Sequence, residues 1–125
     1  MRLAPLKLAI LALAAVAMTP TCALAAPLEV YEARLSAQDH FNSNGQRLTT
    51  AAAIIRQDRA NYHKYGLRDP EDEGDSYFAS AENRARLEAL IARGSVTPRA
   101  ARAILNGTPL IIVTVFDDYV DIDVR

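Results

Sequence analysis

"PLIIVTVFDDYVDIDVR", residues 109–125, alternates apolar and polar side chains on either side of Asp117-Asp118. A period of two marks strands with one buried face, and turn formers between two such runs mark a hairpin. A two-residue turn pairs Phe116 with Tyr119, Val115 with Val120, Thr114 with Asp121 and Val113 with Ile122. Ile111, Val113, Val115, Val120, Ile122 and Val124 then share one face. Thr114, Asp121, Asp123 and Arg125 share the other. One face packs and the other is wet.

Working upstream, the chain supplies a cover for the apolar face. Thr97-Pro98 opens a short helix with proline at its first position, and Asn106-Gly107 ends it. Ser80 caps a helix that runs to Arg93 and stops at Gly94. Leu87, Leu90 and Ile91 form its stripe, and Glu82/Arg86 and Arg84/Glu88 stand one turn apart. Thr49 or Thr50 caps another helix, which runs to about Tyr65 and ends at Gly66. Before it, "DHFNSNGQRL" is dense in turn formers, and Asn44-Gly45 suits a tight turn with positive φ at both central residues. Leu28–Leu35 places Leu28 and Val30 on one side and Tyr31, Ala33 and Leu35 on the other, a short strand that adds to the sheet. The expected fold is α+β: a small two-layer domain, two to three helices packed on an antiparallel sheet containing the C-terminal β-hairpin.

The first segment, residues 1–25, reads differently. Arg2 and Lys7 precede an uninterrupted apolar run, Leu8 to Met18; Pro20 and Ala23-Leu24-Ala25 follow. That is the layout of a cleavable secretory signal, too short to span a bilayer. Residues 26–125 then form a single small exported domain, periplasmic or secreted, with no stable membrane insertion after signal cleavage. Cys22, the only cysteine, is discarded with the signal, so the mature chain has no thiol chemistry.

Without Arg2 and Lys7 the 14 Lys and Arg become 12 against 15 Asp and Glu, a formal charge of −3. An acidic balance argues against nucleic acid as a partner. No glycine-rich phosphate loop, dinucleotide fingerprint or HExxH spacing is present, and His40 and His63 are the only histidines. The expectation is no cofactor and no metal. Asp69, Glu71, Glu73, Gly74 and Asp75 match the first half of a calcium-binding loop, but Ser80 stands where its bidentate glutamate belongs.

The stretch richest in chemistry is "RQDRANYHKYG", residues 56–66. On a helical wheel Asp58 falls within the apolar arc with Ile54, Ile55, Tyr62 and Tyr65. It is a buried structural acid that needs a partner, an arginine such as Arg34 or Arg84, or loop N–H groups. Arg56, Arg59, His63 and Lys64 form an exposed basic strip. Asp39, His40, Asn42 and Ser43 read as a hydrogen-bonded turn, with no nucleophile elbow around Ser43. These features point to a non-enzymatic binding or inhibitory module that meets a protein or envelope component through the strip, or through the last strand as a free sheet edge. Two alternatives stand beside it: a small hydrolase or lyase using Asp58 with His40, and a calcium-stabilised envelope protein.

Overall fold

The computed structural model describes residues 2–5, 12–20 and 24–125. Part of the expected signal, including residues 8–11 and Cys22, lies outside the described residues. Among those described, no helix is long and apolar enough to cross a membrane.

Strand β1 (Glu29–Arg34) leads through a short 3₁₀ turn (Ala37–His40) to helix α1 (Ala51–His63). Helix α2 (Ala81–Arg93), strand β2 (Ser95–Val96), helix α3 (Pro98–Asn106) and strands β3 (Leu110–Val115) and β4 (Val120–Val124) follow. The sheet order is β1-β3-β4-β2, antiparallel except for the β2–β4 pair. The hairpin has the register read from its sequence, Val115 opposite Val120 and Val113 opposite Ile122. Its apolar side joins Tyr31 and Ala33 of β1, Ile54 and Ile55 of α1, Leu87 and Leu90 of α2, and Ile104 of α3 in one core. The fold is thus an α+β domain of three helices against a four-stranded sheet.

All three helices begin where the caps were expected. Thr50, Ser80 and Thr97 each accept a hydrogen bond from the backbone N–H three residues on. The glycine after α2 has a packing reason: a Cβ on Gly94 would stand 1.9 Å from the carbonyl oxygen of Val120. Only glycine lets the chain turn so close to β4 and enter the sheet as β2.

Three expectations need correction. β4 is not a sheet edge, because Ser95 and Val96 pair with Asp121 and Ile122 on its far side. The carboxylate of Asp121 reinforces that pairing by accepting from the Ser95 N–H at 2.9 Å. Second, Asn44-Gly45 is not a two-residue turn. Gly45 alone has positive φ, 76°, and its N–H donates to the Asn42 carbonyl at 2.9 Å. With the Asn42 N–H donating to the Gln46 carbonyl, this is a three-residue loop of the glycine-bulge kind. Third, the pairs within α2 do not form: Arg84 donates to the carbonyls of Phe78 and Ala79, and Glu88 binds Arg56 of α1 at 3.0 Å.

The outer rim of β1 is covered by the acidic loop. Glu73 accepts from the Glu32 N–H at 3.1 Å, Asp72 accepts from the Arg34 N–H at 2.8 Å, and the Glu73 N–H donates to the Glu32 carbonyl at 2.9 Å. Side-chain carboxylates do here what a neighbouring strand would do, and they occupy edge amides that would otherwise recruit another chain.

Candidate functional site

Helix α1 organises both polar clusters of the molecule. The buried one surrounds Arg59, which is fully enclosed. Its guanidinium lies between the rings of Tyr31 and Tyr62, 4.4 and 4.5 Å from their centroids. Nε donates to Asp58 Oδ2 at 2.8 Å and Nη1 to Asp75 Oδ1 at 2.7 Å. Asp75 also accepts from the Phe78 N–H at 2.6 Å, and His63 Nε2 lies 2.7 Å from its Oδ1.

Asp58 is therefore the buried acid expected, and its partner is the adjacent Arg59 rather than Arg34 or Arg84. Burial pushes its carboxyl up to about 8 against the pull of Arg59, with Asp39 adding to the rise. Burial also works against the charge on Arg59, but Tyr31, Asp58 and Asp75 together hold its pKa above the usual value. Two carboxylates share one enclosed guanidinium, so a proton on Asp58 leaves Arg59 and Asp75 as a balanced pair. This cluster is a structural joint. It ties α1 to β1 and to the segment leading into α2.

The expected basic strip is thus half dissolved. Arg59 turns inward, because a long side chain at the border of the apolar arc can curl beneath the helix when aromatic faces and a carboxylate await it, and His63 is half-buried with its Nε2 against Asp75. Arg56 and Lys64 stay on the surface and line a cleft of about 300 Å³ with Asn42, Ser43, Gln57 and Tyr65. A second cleft, of about 590 Å³, shares Asn42, Ser43, Gln57 and Tyr65 with the first and extends over Phe41, Asn61 and Leu67. The two form one groove between α1 and the three-residue loop. Tyr65 was expected to face the core. It lies beyond the end of α1, where Gly66 at φ 69° redirects the chain, and it is 48% exposed. The Ser43 hydroxyl and the Lys64 ammonium hold its phenol below the ordinary value.

A second hydrogen-bonded chain runs into this groove from the 3₁₀ turn. Asp39 Oδ2 accepts from the backbone N–H and the hydroxyl of Ser36, at 2.8 and 3.0 Å. Its Oδ1 accepts from Asn61 Nδ2 at 2.8 Å, and Asn61 Oδ1 accepts from Gln57 Nε2 at 2.9 Å. Gln57 and Asn61 carried no signal in the sequence beyond their spacing of four on one helix face.

The catalytic alternative finds little geometry. Both ring nitrogens of His40 face carbonyl oxygens, Ser36 O at 2.9 Å and Ile104 O at 2.8 Å. His40 lines a separate cleft with Ala37, Phe41 and Arg47, and Asp58 lines none of the three clefts described. The acidic loop does not converge either. Asp72 and Glu73 cap β1, Glu71 meets Arg34 at 3.3 Å, and Asp75 belongs to the Arg59 cluster. Among the described residues no group of three or more histidine, cysteine or acidic side chains could hold a metal ion. Compared with protein-family models, curated proteins and solved structures, the chain matches none.

Proposed function

We propose that the protein is a small exported binding module, periplasmic or secreted, acting through the groove along α1 and not through bond-making chemistry. The observation that carries this reading is the pair of adjoining clefts that share Asn42, Ser43, Gln57 and Tyr65. They contain hydroxyls, amides, the rings of Phe41 and Tyr65, two cationic side chains and the Glu88 carboxylate, and among the described residues no histidine lines either cleft beside Ser43. Arg56 is committed in part to Glu88, which leaves Lys64 as the freer positive group at the mouth. The natural partner is an envelope component or a protein that presents polar groups to the groove and an acidic group to Lys64.

The test is crosslinking of the purified protein to envelope extract through a photoreactive group placed at Ser43. The expected result is a saturable adduct that weakens in the Arg56→Glu/Lys64→Glu double variant. Absence of any saturable adduct, or an adduct indifferent to the double variant, overturns the proposal.

A further inference from the structure

We propose that Asn44 is a self-modification site, the place where this chain converts an asparagine to aspartate and isoaspartate without an enzyme. An asparagine followed by glycine is the least hindered setting for this reaction, because the glycine nitrogen can reach the side-chain carbon with no Cβ in its way. The chain has two such pairs, Asn44-Gly45 and Asn106-Gly107, and both lie on the surface. The fold treats them differently.

Asn106 is the last residue of α3, and its Nδ2 donates to the Arg102 carbonyl one turn back at 2.9 Å. The side chain is thus bound along the helix, and the helical backbone has to open before the Gly107 nitrogen can come over Cγ. Asn44 has neither restraint. Among the described residues its side chain makes no hydrogen bond, whereas Asn42 in the same loop is locked by three. Asn42 Oδ1 accepts from the Asn44 and Gln46 N–H groups at 3.0 and 2.9 Å, and its Nδ2 donates to Gln46 Oε1 at 3.0 Å. Space around Gly45 is open, since a Cβ built there would meet nothing within 4 Å. The contact to be released is that of the Gly45 N–H with the Asn42 carbonyl, at 2.9 Å. In an exposed turn water replaces such a bond at a cost of about 0.5–1.5 kcal/mol. The Gly107 N–H has no backbone partner among the described residues, so at Asn106 the side chain and the helix hold the reaction back.

The Gly45 amide gives its proton to hydroxide and its nitrogen bonds to Asn44 Cγ. The Cγ–Nδ2 bond breaks, and Nδ2 takes a proton from water and leaves as ammonia. Water then opens the resulting succinimide at one of its two carbonyls. Opening at Cγ restores the ordinary backbone with an aspartate, and opening at the main-chain carbonyl carries the backbone through Cγ as isoaspartate. Water is the only co-reactant, and nothing is oxidised or reduced. Asn42 and Ser43, which line both clefts, are positioned by this loop. Isoaspartate inserts one extra backbone carbon between the Asn42 carbonyl and the Gly45 N–H, and either product adds a negative charge. The groove therefore changes with the age of the molecule, whatever it binds.

The experiment takes protein purified from cells expressing the full chain and holds it at mildly alkaline pH and body temperature, folded in one arm and in concentrated guanidinium chloride in the other. Tryptic peptide mapping follows both sites, because residues 35–47 carry Asn44 and residues 103–125 carry Asn106 on separate peptides. The expected result is one mass unit gained at position 44 about tenfold faster than at position 106 in the folded arm, the worth of one hydrogen bond and an ordered helix end. In denaturant the two rates should converge to within about threefold, since little structure survives to separate them. Equal rates in the folded arm, a faster Asn106, or a tenfold preference that persists in denaturant overturns the proposal. The nitrogen-15 NMR spectrum of the aged protein, set beside that of Asn44→Asp, reads the effect on the groove. Isoaspartate should displace the Asn42, Ser43 and Tyr65 signals beyond the shifts caused by the charge alone. An aged spectrum that superimposes on that of the variant overturns the remodelling of the loop.

Discussion

Asp58→Asn is the perturbation that most directly tests how the centre of the molecule is held. The folded carboxyl titrates near 8, against an ordinary value of 3.8. Between about pH 4 and 8 the folded state therefore keeps a proton that the unfolded chain has released. The folded state binds more protons than the unfolded, so stability falls as pH rises through this window and levels off above it. The slope for one proton is about 1.4 kcal/mol per pH unit, so the interval from pH 5 to 8 is worth at most about 4 kcal/mol. Asparagine has the shape of the protonated acid and still offers an oxygen to Arg59 Nε, but it cannot ionise. At pH 5 the variant should lie within about 1 kcal/mol of the parent. At pH 8 to 9 it should be the more stable of the two. Urea melts followed by circular dichroism, run on both proteins at pH 5, 6.5, 8 and 9 and constant ionic strength, give the difference directly, and other titrating groups cancel in it. A variant destabilised by the same amount at every pH, or hurt most at alkaline pH, would refute the protonated form and return Asp58 to a charged pair with Arg59.

Arg59→Met removes the shared donor and leaves two enclosed carboxyl groups without it, which should cost about 3–5 kcal/mol in the same urea melts; a loss below about 1 kcal/mol would show that the cluster is dispensable. Gly94→Ala places a methyl group against the Val120 carbonyl, where a Cβ would stand at 1.9 Å, and should cost about 1–3 kcal/mol. Hydrogen exchange should show the loss concentrated at Ser95 to Thr97, and unchanged protection there would contradict the close approach of β2 to β4.

Most of the architecture was legible because it follows local rules. The hairpin repeats every second residue, the caps are serine and threonine, and Pro98 and Gly94 punctuate the chain where helices begin and end. β2 is two residues long, so it carries no period to read, and its pairing with β4 was missed. Arg59 shows the limit most clearly. Its wheel position on the border of the apolar arc says nothing of Tyr31 and Asp75, which lie far away in the chain and together draw the guanidinium inside. Asp58 was placed correctly for the same reason that its partner was not: burial follows from periodicity, whereas pairing depends on the tertiary fold. The groove was hidden likewise. Tyr65 stands just past the last turn of α1, where the wheel no longer applies, and Asn42 and Ser43 meet it only because Gly45 bends their loop.

The strand order has a consequence for how the chain reaches this state. Of the three pairings in the sheet, only that between β3 and β4 joins neighbouring strands; Glu29 meets Val115 and Ser95 meets Asp121. Contacts between distant parts of a chain form slowly, because loop closure must come before they can repay it. The expected order is therefore that the hairpin closes first and serves as the template on which β1 and β2 are laid. A change that slows hairpin closure at Asp117-Asp118 should retard the whole refolding reaction, while one in the acidic loop should act mainly on unfolding.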